Sequence, residues 1–252
     1  MFLSKPLRKL FDLIFPYRCL RCEKIIDRLG FCDGCMAEAL YPLKPPLCRI
    51  CGGPLDMENF PGNRLVCASC LKEKYFFDRA VSVFYYSGHM PKIIHSFKFG
   101  NKFFLSKFFF EYLREKPKEF GENIDCIVPI PLHVKKLRAR SYNQTALLAR
   151  HFRDEGYKVI NDLLLKTVNS RAQIELKTSQ RKKNVRGNFC VNKKYAGEAA
   201  GKNILLLDDV FTTGATVNEC AKVLREGGAK KIFVLTIAKV ARGKKIGNCA
   251  AT

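Results

Sequence analysis

The sequence predicts an α/β fold, in which a parallel sheet is flanked by helices and follows a small cysteine-rich domain. The apolar run 204–207 leads through two acids and a hydroxyl-rich turn into an amphipathic helix, as a buried parallel strand and its crossover helix do. Short apolar runs at 80–86, 124–130 and 231–240 predict the other strands. Four Cys-x-x-Cys pairs within residues 19–70 predict a metal-binding domain.

Residues 1–17 begin the chain with an amphipathic pattern. Its apolar residues recur at helical spacing: Leu7, Leu10, Phe11 and Ile14. We expect a helix that packs on the protein, and binding to a membrane surface is the alternative. Charged residues interrupt the segment and no small-residue cleavage site follows, so a secretory signal is not expected. No run approaches the ~20 apolar residues of a membrane span, and the sequence therefore predicts a cytoplasmic protein without a transmembrane segment.

The four Cys-x-x-Cys pairs predict two structural zinc ions, because each pair offers two thiolates and two pairs complete a tetrahedral site. Disulfides are not expected without an export signal, and redox Cys-x-x-Cys motifs normally occur singly. Sequential pairing of the cysteines and crossed pairing are both open. We expect this domain to cover residues 1–75 and the α/β domain to cover 76–252. The predicted zinc ligands are Cys19, Cys22, Cys32, Cys35, Cys48, Cys51, Cys67 and Cys70.

Residues 91–118 predict a helix that combines basic and aromatic residues. This mixture suits a single-stranded nucleic acid, because cations follow the phosphates and rings stack on bases. A helix that packs its rings in the core and exposes a basic face gives the same pattern, and we expect this of most of its phenylalanines. The aromatic residues are Phe97, Phe99, Phe103, Phe104, Phe108, Phe109, Phe110 and Tyr112.

The predicted strand at 124–130 ends in Pro129 and Pro131, which stop it and stiffen the turn that follows. We expect a basic loop over 133–140 and then a helix over 145–155. A rigid turn beside clustered cations at the carboxyl end of a strand suits a pyrophosphate, and an exposed basic loop without a ligand is the alternative. The cations are Lys135, Lys136, Arg138 and Arg140.

Residues 158–168 predict a further short strand, and residues 169–188 lack a stable apolar pattern. Long basic loops inside compact domains are often lids over a ligand. We expect such a lid here, with Arg181 and Lys182 among its cations.

The segment that follows residue 207 carries the chemistry. Asp208 and Asp209 end the predicted strand, where open α/β sheets bind ligands, and carboxylates accept hydrogen bonds from vicinal sugar hydroxyls. The next helix begins with free backbone N–H groups that favour a phosphate, and the threonines within 212–216 add hydroxyl donors. Gly214 permits close approach of the backbone. These residues predict a sugar-phosphate site.

Two other interpretations of this segment are open. An apolar run that ends in two acids also resembles the metal-holding motif of P-loop NTPases, which need a second, glycine-rich motif. The nearest match, at 197–203, is one residue short and precedes a strand. An ordinary strand end with a capped helix is the other interpretation, although two acids and three threonines are more polar than a cap requires.

Residues 206–216 closely resemble the motif with which type I phosphoribosyltransferases bind 5-phosphoribosyl 1-pyrophosphate (PRPP). The resemblance implies a type I phosphoribosyltransferase-like parallel sheet flanked by helices, and Mg²⁺ bound together with PRPP. It implies that Asp208 and Asp209 hold the ribose hydroxyls and act in catalysis with the lid cations Arg181 and Lys182. The implied PRPP-binding residues are Pro129, Ile130, Pro131, Leu132, Arg140, Asp208, Asp209, Phe211, Thr212, Thr213, Gly214, Ala215 and Thr216.

The order of these features resembles, nearly end to end, the ComF family of competence proteins, which join a double zinc ribbon to a phosphoribosyltransferase-like domain. The family's Arg-Gly-Phe-Asn-Gln segment stands here at 140–144, with serine in place of glycine. The resemblance implies a role in natural transformation, with single-stranded DNA as a partner and a competence-machinery protein on the zinc domain. The net charge of +22 also favours a large anion, although a generally basic proteome would explain it too.

Two hypotheses on activity follow. The chain is either an enzyme that transfers the phosphoribosyl group of PRPP to an acceptor, or a binding component that keeps the PRPP site while its basic surface binds single-stranded DNA. A phosphoribosyltransferase of nucleotide or related metabolism without a DNA role is the alternative to a competence function.

Overall fold

A computed structural model describes residues 16–27, 30–55, 65–168, 185 and 187–241. Its strands are β1 (Tyr17–Arg18), β2 (Ile25–Ile26), β3 (Arg79–Tyr85), β4 (Cys126–Pro129), β5 (Leu164–Lys166), β6 (Phe189–Val191), β7 (Asn203–Phe211) and β8 (Lys231–Lys239). Its α-helices are α1 (Asp33–Ala39), α2 (Ala68–Lys72), α3 (Met90–Phe99), α4 (Leu105–Leu113), α5 (Val134–Arg140), α6 (Gln144–Asp154) and α7 (Ala215–Glu226). Two 3₁₀ helices cover Lys116–Phe120 and Lys193–Glu198.

The centre of the fold is a parallel sheet with the strand order β3-β8-β7-β4. The chain enters at one edge with β3, crosses to the other edge with β4, and fills the middle with β7 and β8. The two central strands consist almost entirely of buried residues, as expected of strands covered on both faces. The predicted α/β class and its four strands are confirmed.

Alternation along β7 separates two hydrophobic clusters, one on each face of the sheet. Leu205 and Leu207 pack on what we call the first face, beneath α3, α4 and α6. Ile204 and Leu206 pack on the second face, beneath α7. The alternation changes after Asp209: Val210 packs with the cluster of the first face and Phe211 with the cluster of the second face, although the pairing with β8 keeps one register throughout.

The predicted continuous helix over 91–118 is wrong. It breaks into α3 and α4 at Gly100 and Asn101, and Asn101 has a φ of 51°, in the left-handed region that ends helices. The basic loop predicted over 133–140 is wrong as well, because the helix α5 forms there. His133 caps α5 by accepting from the N–H of Lys135, and Ser141 ends it with a φ of 64°.

The strand predicted over 158–168 shortens to β5, which pairs antiparallel with β6 and stays outside the main sheet. Most of the predicted N-terminal helix and of the 169–188 lid, with Arg181 and Lys182, lies outside the described residues. Among the residues that the structure describes, no helix is long and apolar enough to cross a membrane.

Candidate functional site

The carboxyl end of β7 opens because this strand is longer than its neighbour β4. Their pairing ends where Leu207 stands opposite Pro129, and the N–H of Ile130 donates to the Leu207 carbonyl at 2.9 Å. Beyond that point β7 pairs with β8 alone, as far as Phe211. Residues 208–211 therefore border a gap at the carboxyl edge of the sheet, where parallel sheets bind ligands.

Asp209 lies on the first face and is only 5% exposed. Its Oδ1 accepts from Lys98 Nζ at 2.8 Å, and its Oδ2 accepts from Gln144 Nε2 at 2.7 Å. Burial acts to lower the pKa of Lys98, but the Asp209 carboxylate outweighs burial and raises that pKa. The charge of Asp209 is therefore matched inside the protein.

Asp208 lies on the second face and is partly exposed. Its Oδ1 accepts from the backbone N–H of Asp209 at 2.8 Å, and it forms no ion pair with any described residue. Burial, reinforced by the negative charge of Asp209, raises the pKa of Asp208 from its ordinary 3.8 to about 7. The two adjacent acids are thus not equivalent, since only Asp209 has its charge matched by a bonded cation.

The turn after β7 places backbone donors beside the acids. Gly214 precedes α7 with a φ of 78°, and a Cβ at this position would stand 2.6 Å from the Phe211 ring. Glycine is therefore required both by the backbone conformation and by the ring. Thr213 Oγ1 accepts from the N–H of Ala215 at 3.2 Å, and the first turn of α7 leaves N–H groups without partners in the helix. This arrangement suits a phosphate.

The loop after β4 forms the opposite side of the gap. Asn143 Nδ2 and Thr145 Oγ1 both donate to the Ile130 carbonyl, at 3.1 and 3.0 Å. The Arg140 guanidinium lies 4.2 Å from the centroid of the Phe99 ring. Burial lowers the pKa of Arg140, and the charge of Asp209 acts in the opposite direction. Arg140 therefore stands close enough to Asp209 to be influenced by its charge.

The structure brings the predicted PRPP-binding residues to one edge of the sheet, since the β4 loop and the turn after β7 face the same gap. Two residues that bond to Asp209 were not predicted as site residues. Gln144 lies within the segment 140–144 that supports the family resemblance, but nothing in the sequence assigns it a bond to the acid pair. Lys98 comes from a different helix, and no local pattern distinguishes it from Lys92, the other lysine of α3.

The first cysteine site consists of Cys19, Cys22, Cys32 and Cys35, whose sulfur atoms all lie within 4.8 Å of one another. Cys22 Sγ and Cys32 Sγ are 3.7 Å apart. In a tetrahedral zinc site with Zn–S bonds of about 2.3 Å, two sulfur atoms are separated by about 3.8 Å. Burial acts to raise the pKa of Cys19, but backbone N–H groups, including that of Cys32, lower it to about 6. A thiolate is the form that zinc requires.

The second cysteine site has the same geometry and consists of Cys48, Cys51, Cys67 and Cys70. Cys51 Sγ lies 3.7 Å from Cys67 Sγ, and the N–H of Cys67 donates to Cys48 Sγ at 3.3 Å. Sequential pairing is therefore confirmed, and crossed pairing is excluded. Both sets of four sulfur ligands fit structural zinc.

Lys239 connects the second cysteine site to the turn after β7. A Cβ at Gly53 would stand 2.8 Å from Lys239 Cε and 3.3 Å from Cys51 Sγ, so glycine allows the lysine stem to reach the cysteine site. The ammonium group of the same lysine lies 3.5 Å from the centroid of the Phe211 ring, and Phe211 packs on Gly214. This chain of contacts joins zinc ligands to the predicted phosphate turn.

Comparisons with known proteins agree with this arrangement. Residues 10–71 match the model of the double zinc ribbon domain. "Competence protein F" of Haemophilus influenzae is 28% identical over 89% of this chain and 98% of its own length. "DNA utilization protein YhgH" of Escherichia coli K12 is 26% identical over 90% of this chain and 99% of its own.

A solved structure of glutamine PRPP amidotransferase from B. subtilis is similar in fold to 57% of this chain, which spans 26% of that protein, with 19% identity and a TM-score of 0.34. "Competence protein ComFC" of Streptococcus pneumoniae is 30% identical over 63% of this chain and 67% of its own length. By its double zinc ribbon and these relatives, the chain belongs to the ComF family of competence proteins.

Proposed function

We propose that this protein binds PRPP with Mg²⁺ at the gap beyond β4, and that it binds single-stranded DNA in natural transformation. The observation that carries the PRPP proposal is that a carboxyl group and a set of backbone N–H donors border the same gap. A partly exposed carboxyl group, Asp208, stands next to a turn that offers backbone N–H donors at the start of α7. A ribose phosphate presents the complementary groups, because its hydroxyls donate to a carboxylate and its phosphate accepts from backbone N–H groups.

Each of the two acids would bind one ribose hydroxyl. Asp208 accepts from a ribose hydroxyl with its free lone pairs, and Asp209 accepts from the second hydroxyl while Lys98 and Gln144 hold it in place. The turn at 212–216 holds the 5′-phosphate. Arg140 and the rigid loop Pro129–Leu132 would face the pyrophosphate, and Arg181 and Lys182, which lie outside the described residues, would supply further positive charge.

Support for DNA comes from charge and from the relatives. The chain carries 45 Lys and Arg against 23 Asp and Glu, far more than a small ligand requires. Two of the relatives described above are named for competence, and one is named for DNA utilization. A competence-machinery protein would then bind the zinc ribbons, and the protein would act in the cytoplasm.

Phosphoribosyl transfer is the second candidate function, and the complete acid pair with its threonine turn favours it. In that reaction the bond between C1 of ribose and the pyrophosphate oxygen breaks, and an acceptor nucleophile forms the new bond to C1. Fixed cations would stabilise the departing pyrophosphate. Its release in the presence of PRPP, Mg²⁺ and candidate acceptors distinguishes an enzyme from a binding component.

Calorimetry with PRPP and Mg²⁺ tests the binding proposal directly. Ribose 5-phosphate and pyrophosphate alone serve as partial ligands, and each is expected to bind more weakly than PRPP because it fills one half of the gap. A protein that binds pyrophosphate as tightly as PRPP uses no ribose contact, and this would contradict the roles assigned to both acids.

A further inference from the structure

The turn between α3 and α4 exposes three phenylalanine rings, which we call the aromatic elbow: Phe99 (50% exposed), Phe103 (48%) and Phe104 (39%). The other phenylalanines of these two helices, Phe97, Phe108, Phe109 and Phe110, are at most 5% exposed. The core explanation of the aromatic pattern therefore accounts for four rings and leaves three in solvent. Exposed apolar rings that lie together mark a binding surface more often than single ones do.

Neighbouring side chains hold two of the three elbow rings in place. Phe99 packs between the His95 ring, with centroids 4.8 Å apart, and the guanidinium of Arg140. Phe103 makes an edge contact with Tyr142, with centroids 4.6 Å apart, and the Tyr142 hydroxyl donates to the Phe97 carbonyl. Rings that are already ordered lose little side-chain entropy when a flat ligand stacks on them.

The two chain segments that contribute the elbow and its contacts contain cations and no acids. Neither residues 87–110 nor residues 126–153 contain an acid, and these two segments form α3, most of α4, the β4 loop, α5 and nearly all of α6. The short helix α5 carries the exposed cations Lys135 and Arg138. It ends at Arg140, whose guanidinium lies against the Phe99 ring. Rings bordered by cations fit a polyanion that also has flat apolar faces.

We infer that the aromatic elbow is a stacking platform for the bases of a single-stranded nucleic acid, whose phosphates follow the cations of α5. A duplex offers no free base faces to such rings, whereas every base of a single strand does. This inference rests on the DNA-binding part of the proposed function and assigns that function to a surface. The strand passes the mouth of the PRPP site, because Arg140 belongs to both.

The first test replaces Phe103 and Phe104 together by leucine, which keeps apolar surface but removes the flat rings. Phe76→Leu is the matched control, because Phe76 is also 39% exposed but belongs to the segment next to the second cysteine site. A labelled oligothymidylate of about 20 nucleotides is the probe, at low salt. The double variant is expected to bind it roughly tenfold or more weakly, and the control is expected to bind like the wild type.

The second test reports stacking itself. The chain contains no tryptophan, so Phe104→Trp introduces a single fluorophore, and Phe76→Trp is its control. Stacked bases quench tryptophan, and the oligonucleotide is expected to quench Trp fluorescence in the Phe104→Trp protein only. Equal quenching in both proteins, or full affinity in the double leucine variant, overturns the inference.

Two further outcomes separate this inference from the proposed function. A wild type that binds no oligonucleotide at low salt refutes the DNA-binding part of the function, and this inference with it, while PRPP binding is judged by calorimetry. Binding to anionic vesicles is the second outcome. If the double leucine variant binds such vesicles more weakly than the wild type but binds the oligonucleotide equally well, the elbow is a lipid-binding surface and the inference is overturned.

Discussion

The two faces of the sheet each contain one cysteine site and one acid of the central pair, but they are built differently. On the first face, Cys19 and Cys35 join the cluster of α3 and α4, where Phe31 meets Phe108 with ring centroids 5.6 Å apart, and Asp209 is bonded to a lysine. On the second face, the cysteine site reaches the phosphate turn through Lys239, and Asp208 bonds to no cation among the described residues.

This difference indicates a division between support and ligand binding. A matched, buried charge such as Asp209 fixes helices to the sheet, whereas an acid with a raised pKa and partial exposure is available to a ligand. The first cysteine site stabilises the helices that carry the aromatic elbow, and the second stabilises the turn at which we place the phosphate.

Loss of one zinc ion is the largest change and tests the division most directly. Cys67→Ser should remove the metal from the second site and Cys22→Ser from the first, leaving about one zinc per chain in each variant. Structural zinc contributes apparent free energies of roughly 10–16 kcal/mol in small zinc domains, so each loss should loosen its own surroundings. Metal analysis and calorimetry with PRPP and Mg²⁺ provide the measurements.

We expect Cys67→Ser to lose at least about tenfold in PRPP affinity, or ~1.4 kcal/mol, because the Lys239–Phe211–Gly214 contacts lose their support. Cys22→Ser should keep PRPP affinity near that of the wild type. Equal losses in the two variants would show that the cysteine sites are not specific to their faces.

Replacement of Lys98 tests the support function of the first face. Lys98→Met leaves the Asp209 carboxylate buried without its cation, which costs about 3–5 kcal/mol in comparable buried pairs. Urea unfolding of Lys98→Met, Asp209→Asn and the double variant measures the coupling. The double variant should be more stable than Lys98→Met alone, because asparagine removes the unmatched charge. If Lys98→Met lowers the free energy of unfolding by less than about 1 kcal/mol, the Lys98–Asp209 ion pair is screened by solvent and contributes little.

Replacement of the two acids, one on each face, tests the PRPP-binding proposal itself. Each hydrogen bond to a charged acceptor contributes about 1.5–3 kcal/mol, so Asp208→Asn with Asp209→Asn should weaken PRPP binding on the order of a hundredfold. PRPP is anionic, and removal of two carboxylates also relieves repulsion, but Mg²⁺ limits this relief. Asp208→Asn alone should cost more affinity than Asp209→Asn alone. Unchanged affinity in the double variant, with both zinc ions bound, would make the acid pair purely structural.

The sheet and both cysteine sites could be predicted from the sequence because their signals are local. A run such as 204–207 is apolar at every position, and a Cys-x-x-Cys pair holds two ligands within four residues. The break between α3 and α4 was missed because the apolar spacing continues across Gly100 and Asn101, where the chain leaves the helical conformation with a φ of 51° at Asn101. The helix α5 was missed because its basic residues form no buried face.

The partners of the acids could not be predicted, because they arise from contacts between distant elements. Lys98 and Gln144 stand 111 and 65 residues from Asp209 along the chain, and they meet only when α3 and α6 cover the same face. The contact of Lys239 with Phe211 likewise depends on the pairing of two adjacent strands and on the change of alternation after Asp209. The composition predicts a positively charged surface, but only the fold shows which phenylalanine rings are exposed, at 99, 103 and 104, and which are buried.

The smallest expected effect is the pH dependence that Asp208 imposes on stability. Its pKa is about 7 in the folded protein and near 3.8 when unfolded, so the folded state keeps a proton that the unfolded state releases. The contribution of Asp208 to the free energy of unfolding should therefore fall as pH rises from about 4 to about 7, and stay level above that. Partial exposure lets water screen the charge and keeps the effect modest.

Urea unfolding of the wild type and of Asp208→Asn, followed across this pH range, isolates the effect, because both proteins carry the same zinc sites and the same Asp209 pair. The difference in their free energies of unfolding should change in favour of Asp208→Asn as pH rises towards 7. A difference that is independent of pH would place the Asp208 carboxyl group in water with an ordinary pKa. The electrostatic contrast between the two acids, and with it this part of the contrast between the two faces, would then be wrong.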